Sequence, residues 1–234
     1  MGACVLFTWP SFGTATGYLP DRAEARASAP ALTQVLIEAM DQITRVQRAS
    51  ARAVRAEITA GGSVDESALL NACKAKTSII AHSMGNYLMQ LAMAQAWTTF
   101  NRPQLLSLVN QYIMVAADVD NDLFASGETQ DDSDGSAIAN LCYRVTSLYS
   151  GADSVLGLSA GVKHFGKRRL GRSGLAKDDQ TGVIVVPDNV WQIDCTPAWR
   201  KNESNIHSAY FENPRTLDVM RQVLKGVDRG LIEA

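Results

Sequence analysis

The chain has 234 residues, 46% hydrophobic and 20% charged, a balance that supports a folded core. Its net charge of −2 and pI of about 5.9 give no overall basic field for nucleic acid or an anionic membrane. No apolar run reaches the roughly 18 residues needed to cross a bilayer.

The start, MGACVLFTWP, has no basic segment followed by an apolar stretch of signal-peptide length, so cytoplasmic is the default location. It opens Met-Gly, but Leu6 stands where N-myristoylation takes Ser or Thr, and no lipid is expected. Ala3–Trp9 reads as a first strand. Ala29–Ala60 then reads as a helix, with Leu32, Val35, Leu36, Ala39, Met40, Ile43 and Val46 at helical spacing. Pro30 suits its first turn and Gly61-Gly62 its end. Thr77–Ala81 predicts a strand, and a second helix runs from Ser83 or Met84 to about Phe100.

Tyr112–Ala116 predicts the next strand, Glu128–Asp134 an acidic loop and Ser136–Cys142 a weaker helix. Arg144–Tyr149 reads as a strand, Gly157–Gly174 as a glycine-rich basic loop and Val190–Cys195 as a last strand. The closing helix spans Thr216–Leu231, with Pro214 near its start and Leu217, Met220, Val223, Leu224 and Val227 on one face. Most strands are apolar at successive residues, as strands buried on both faces of a parallel sheet are. Alternating strands and helices predict one α/β domain over residues 1–234, a mainly parallel sheet with helices on both faces. Cys4, Cys73, Cys142 and Cys195 show no CxxC spacing; free thiols are expected, with no metal, cofactor or disulfide framework.

Ala81-His82-Ser83-Met84-Gly85 nearly matches G-x-S-x-G, with alanine for the first glycine. That pattern needs a sharp strand-to-helix turn lifting the serine hydroxyl above the sheet, with small residues two before and two after it. The strand before and helix after make Ser83 the candidate nucleophile and the Met84 amide an oxyanion donor. Of three histidines, His207 follows the last strand and reads as the base. His82 leaves the turn in another direction and is expected to pack or line the pocket. His164 lies in a loop that no strand leads into. Asp153, just after the Arg144–Tyr149 strand, is the favoured acid, with Asp118 and Asp120 as alternatives. Ser11 and Gly13, after the first strand, are weaker pocket candidates.

The segments VLFTWPSFGTATGYLPDRAEARAS, IIAHSMGNYLMQLA, VAADVDNDLF, RVTSLYSGADSVLGLSAGVKHFGKRRLGRSG and HSAYFENPRTLDVM together resemble the bacterial α/β-hydrolases of unknown function, grouped with esterase/lipase superfamily enzymes. The resemblance covers nearly the whole chain. It implies a Ser-His-Asp hydrolase with Ser83, Asp153 and His207 at the matching positions, and no defined substrate. Members usually carry, upstream of the WPS strand, another strand ending in a His-Gly turn that supplies the second oxyanion amide. No His-Gly dipeptide occurs here, so the resemblance implies an N-terminally truncated α/β-hydrolase-like fold. The WPS strand then moves beside the nucleophile strand, the chain is a fragment, or a partner covers the sheet edge.

The leading expectation is a serine esterase acting on a small-molecule carboxylic ester through an acyl-enzyme. The alternative is a weak or inactive hydrolase-like binding module with an incomplete oxyanion hole. Lys163–Arg172 (KHFGKRRLGR) carries a separate expectation, either a solvated loop or a recognition loop for an anionic substrate. Oligomeric state is left open by the sequence.

Overall fold

The computed structural model describes residues 4–14, 17–60, 76–100, 109–125, 135–160, 166–200 and 203–232. Among these residues four strands form one sheet: β1 (Ser78–His82), β2 (Val109–Val115), β3 (Cys142–Tyr149) and β4 (Val190–Asp194), in the order β1-β2-β3-β4. Every pairing is parallel, with Ile80 opposite Ile113, Ile113 opposite Thr146 and Thr146 opposite Trp191. The chain therefore returns to the same end of the sheet after each strand, and its loops gather at the carboxyl ends. Parallel β2 is buried along most of its length, and its second half, Tyr112–Val115, is an unbroken apolar run.

Alternate side chains of β2 serve two cores. Tyr112 and Met114 face one that includes helix α1 (Tyr18–Thr59) and helix α2 (Gly85–Phe100). Ile113 and Val115 face the other, closed by Val219, Met220 and Val223 of the last long helix. Between these lie short helices: α3 (Ser136–Leu141), α4 (Ser154–Leu158), α5 (Leu170–Ser173) and α6 (Ile206–Ala209). The last long helix, α7 (Pro214–Lys225), is capped by Asn213, whose side chain accepts from Arg215 N–H, and ends at left-handed Gly226. Two 3₁₀ turns, Thr196–Ala198 and Arg229–Leu231, complete the described elements.

Three expectations need correction. Residues 4–13 form no strand, and the WPS segment does not pair with β1, which is an edge of the sheet among the described residues. Phe7 and Trp9 turn inward onto the α1–α2 core while Val5 and Leu6 stay exposed. The segment is thus held by one packed face rather than by a hydrogen-bonded ladder. Helix α1 begins at Tyr18, not at Ala29, and runs through Pro30. Proline in a helix interior removes one backbone bond at a cost of about 3 kcal/mol. Here Ala25, Ala29, Leu32, Leu36 and Met40 form a buried stripe across it, and that packing offsets the loss. The final helix stops at Lys225, six residues short of expectation, because Gly226 adopts a φ of +77°. The predicted Gly61-Gly62 stop and the Glu128–Asp134 loop lie outside the described residues.

Candidate active site

Ser83 follows β1 directly and holds a φ of +52°, a left-handed conformation that costs energy for a residue with a Cβ. Hydrogen bonds hold it there. Its N–H donates to Val115 O at 3.0 Å, and its carbonyl accepts from the Asn86 and Asp118 N–H groups, both at 3.1 Å. The fully buried Asn86 side chain adds a brace: Nδ2 donates to Ala81 O at 3.0 Å and to Ser83 O at 3.2 Å. Its Oδ1 accepts from Tyr112 Oη at 2.9 Å, which fixes the amide orientation. Asn86 is a site residue that sequence reasoning misses; the available signal is an amide directly after the motif glycine, at the start of a mainly apolar helix.

Gly85 lies two residues on. A Cβ there would meet the Trp9 ring at 3.5 Å, an ordinary contact, so no steric collision across the turn demands this glycine. The Met84 N–H stands at the start of α2, where helical amides lack intrahelical acceptors, and it has no protein acceptor among the described residues.

Asp153 caps α4. Its Oδ1 accepts from Leu156 N–H at 3.0 Å, leaving Oδ2 to face His207 Nδ1 at 2.8 Å. The carboxylate accepts only, so Nδ1 carries the proton and neutral His207 presents a lone pair on Nε2. That nitrogen lies 2.8 Å from Ser83 Oγ and accepts its hydroxyl proton. Asp153 is fully buried and His207 nearly so. An Arg172 guanidinium N–H donates to the Asp153 carbonyl, holding the turn from the other side.

His82 points to the same place: its Nε2 lies 2.7 Å from the His207 carbonyl. Burial lowers its pKa below the ordinary histidine value, against the opposing pull of its hydrogen bond to the His207 carbonyl.

Asp118 and Asp120, the alternative acids, are engaged elsewhere. Asp118 Oδ1 accepts from Ser159 Oγ at 3.0 Å and lies 3.5 Å from Arg169 Nε; Asp120 Oδ1 accepts from Arg169 Nη1 at 2.6 Å. Tyr18 belongs to this cluster, and burial followed by the Asp118 charge raises its pKa to about 12. Ser11 is exposed. The Phe12 and Gly13 N–H groups donate to the buried Asp21 carboxylate at 2.7 and 3.1 Å, so the Gly13 amide is turned to Asp21. His164 lies outside the described residues.

A family model described as "Alpha/beta hydrolase of unknown function (DUF900)" matches residues 1–51 and 67–226. The chain belongs to this alpha/beta hydrolase family. No curated protein and no solved structure matches it.

In this member of the family the basic stretch after α4 is only partly a solvated loop. Residues 161–165 lie outside the described residues, Lys167 and Arg168 are exposed, and Arg169 is buried between its two aspartates. Gly171 packs so closely on the end of β2 that an added Cβ would stand 2.2 Å from Ala116 C and Ala117 N. Among the described cysteines, Cys4, Cys142 and Cys195 are free, and burial pushes the Cys195 thiol up to about 12. No helix among the described residues is long and apolar enough to cross a membrane.

Proposed function

We propose that this α/β hydrolase cleaves carboxylic esters through a serine acyl-enzyme, and that a single domain carries the whole site. Ser83 Oγ attacks the ester carbonyl carbon while His207 Nε2 takes its proton. The carbonyl oxygen becomes an oxyanion, which the Met84 N–H stabilises at the start of α2. His207 then protonates the departing alcohol, leaving Ser83 acylated. Water, deprotonated by His207, attacks the acyl carbon; the acid leaves and the proton returns to Ser83. Asp153 keeps the His207 proton on Nδ1 and stabilises the imidazolium formed in each half-reaction.

The observation that carries this reading is the unbroken chain Ser83–His207–Asp153, with both links at 2.8 Å. The left-handed serine and the membership of an α/β hydrolase family support it. The test is hydrolysis of short p-nitrophenyl esters. Ser83→Ala is expected to lose activity by on the order of 10⁴-fold or more. Parental turnover in Ser83→Ala overturns the proposal, and a parent that neither turns over nor reacts with a fluorophosphonate points to a hydrolase-like binding module.

A further inference from the structure

His82 sits at the end of β1, immediately before the candidate nucleophile. Its Nε2 lies 2.7 Å from the His207 carbonyl, and a carbonyl only accepts, so His82 carries its proton on Nε2. The two imidazole rings stand 4.9 Å apart, tilted by 47°. Phe211 meets the His82 ring edge-on at 5.6 Å.

The base needs such an anchor. Helix α6 is a single turn, entered through Asn205 at a φ of +61°. So short a helix leaves carbonyls without intrahelical partners, and no strand ladder holds this segment. Asp153 orients the His207 ring, but a ring contact alone does not fix the backbone that carries it. The His82 bond does. Because His82 and Ser83 are consecutive, the anchor and the nucleophile share one strand end, and the His207–Ser83 separation is set from that strand.

We infer that His82 is a positioning residue for the proposed reaction, its Nε2–H clamping the His207 backbone to the strand that presents Ser83. The inference rests on the triad reading above. Burial keeps His82 neutral near pH 7, so it adds no positive charge against the imidazolium that His207 becomes. Misplacement of a reacting group by about 1 Å costs on the order of 10²-fold in rate, and a freed His207 backbone permits such a shift.

His82→Phe keeps an aromatic ring for Phe211 and His207 but removes the donor; His82→Gln restores a donor of similar reach. For p-nitrophenyl ester hydrolysis, His82→Phe is expected to lower kcat by roughly 10- to 100-fold at unchanged KM, with His82→Gln recovering to within about threefold of the parent. Equal kcat for the parent and a folded His82→Phe overturns the clamp, as does a His82→Gln no better than His82→Phe. A second measurement needs no variant: long-range ¹⁵N–¹H correlation on the histidine rings reports the tautomer. Nε2–H at His82 is expected, and an Nδ1–H tautomer overturns the inference. Failure of the triad reading looks different, since Ser83→Ala then matches the parent whatever the His82 tautomer.

Discussion

Asp153 divides its two carboxylate oxygens between the Leu156 amide at 3.0 Å and the His207 ring at 2.8 Å. Asparagine is an equally good helix cap, so Asp153→Asn keeps the first duty and loses the second. It is expected to fold with a thermal midpoint near the parent's while kcat for a p-nitrophenyl ester falls by on the order of 10⁴. Parental kcat in this variant contradicts the assignment of Asp153. His82 gives a prediction about pH. Burial lowers its folded pKa, so the unfolded chain takes up a proton at pH values where the folded one does not. The stability that neutral His82 contributes is fully present above about pH 6.5 and is lost as pH falls from there through the lowered folded value. Urea unfolding of the parent is therefore expected to lose more stability between about pH 7.5 and about pH 5 than that of His82→Gln. Equal losses contradict the shift. At this scale Ser83, Asp153 and His207 stand out in the sequence because each follows a recognisable strand, and the fold brings their side chains together; their catalytic roles are the proposal. Asn86 and the His82 clamp do not stand out, since both act on backbone carbonyls, which carry no sequence signature.

Gly171, in the one-turn helix α5, bridges the ends of two strands. Its N–H donates to Ala117 O at 2.9 Å and its carbonyl accepts from Ser150 N–H at 3.0 Å. With Ala116 C and Ala117 N both 2.2 Å from a would-be Cβ, Gly171→Ala pushes on rigid backbone rather than on a flexible side chain. Such overpacking is expected to cost about 1–3 kcal/mol in urea unfolding, and Ser83, bonded to Val115 just before Ala116, is expected to react more slowly with a fluorophosphonate. An unchanged midpoint refutes the close packing. Elements with strong local patterns were legible: the four strands, α2 and α7. Residues 4–9 look like a strand in the sequence because an apolar run predicts burial but not a partner, and here Phe7 and Trp9 pack without a ladder. The start of α1 is hard to read because Pro30 is a strong local signal for a helix start, whereas the burial of Ala25 and Ala29 that overrides it is tertiary.

Across the whole molecule, α1, the end of β2 and the segment before α5 meet at Arg169. Its guanidinium lies between Asp118 and Asp120, close to Ser159 and Tyr18, and is almost wholly buried. Removing one partner of a buried pair leaves an uncompensated charge, so Arg169→Met is expected to lose about 3–5 kcal/mol in urea unfolding. Adding Asp118→Asn is expected to restore part of that loss; additive losses contradict the pairing. No spacing rule joins residues 118, 120 and 169, and a glycine-rich basic stretch reads as solvated until the fold buries it. The proposed site is equally long-range, Ser83 and His207 lying 124 positions apart in sequence and His207 and Asp153 54 positions apart. Reaction of the folded protein with a fluorophosphonate, read by intact mass and peptide mapping, decides whether Ser83 is an activated nucleophile. A single adduct on Ser83, absent in Ser83→Ala and strongly slowed in His207→Ala, is the predicted result. No adduct, or an adduct on another residue, contradicts the account.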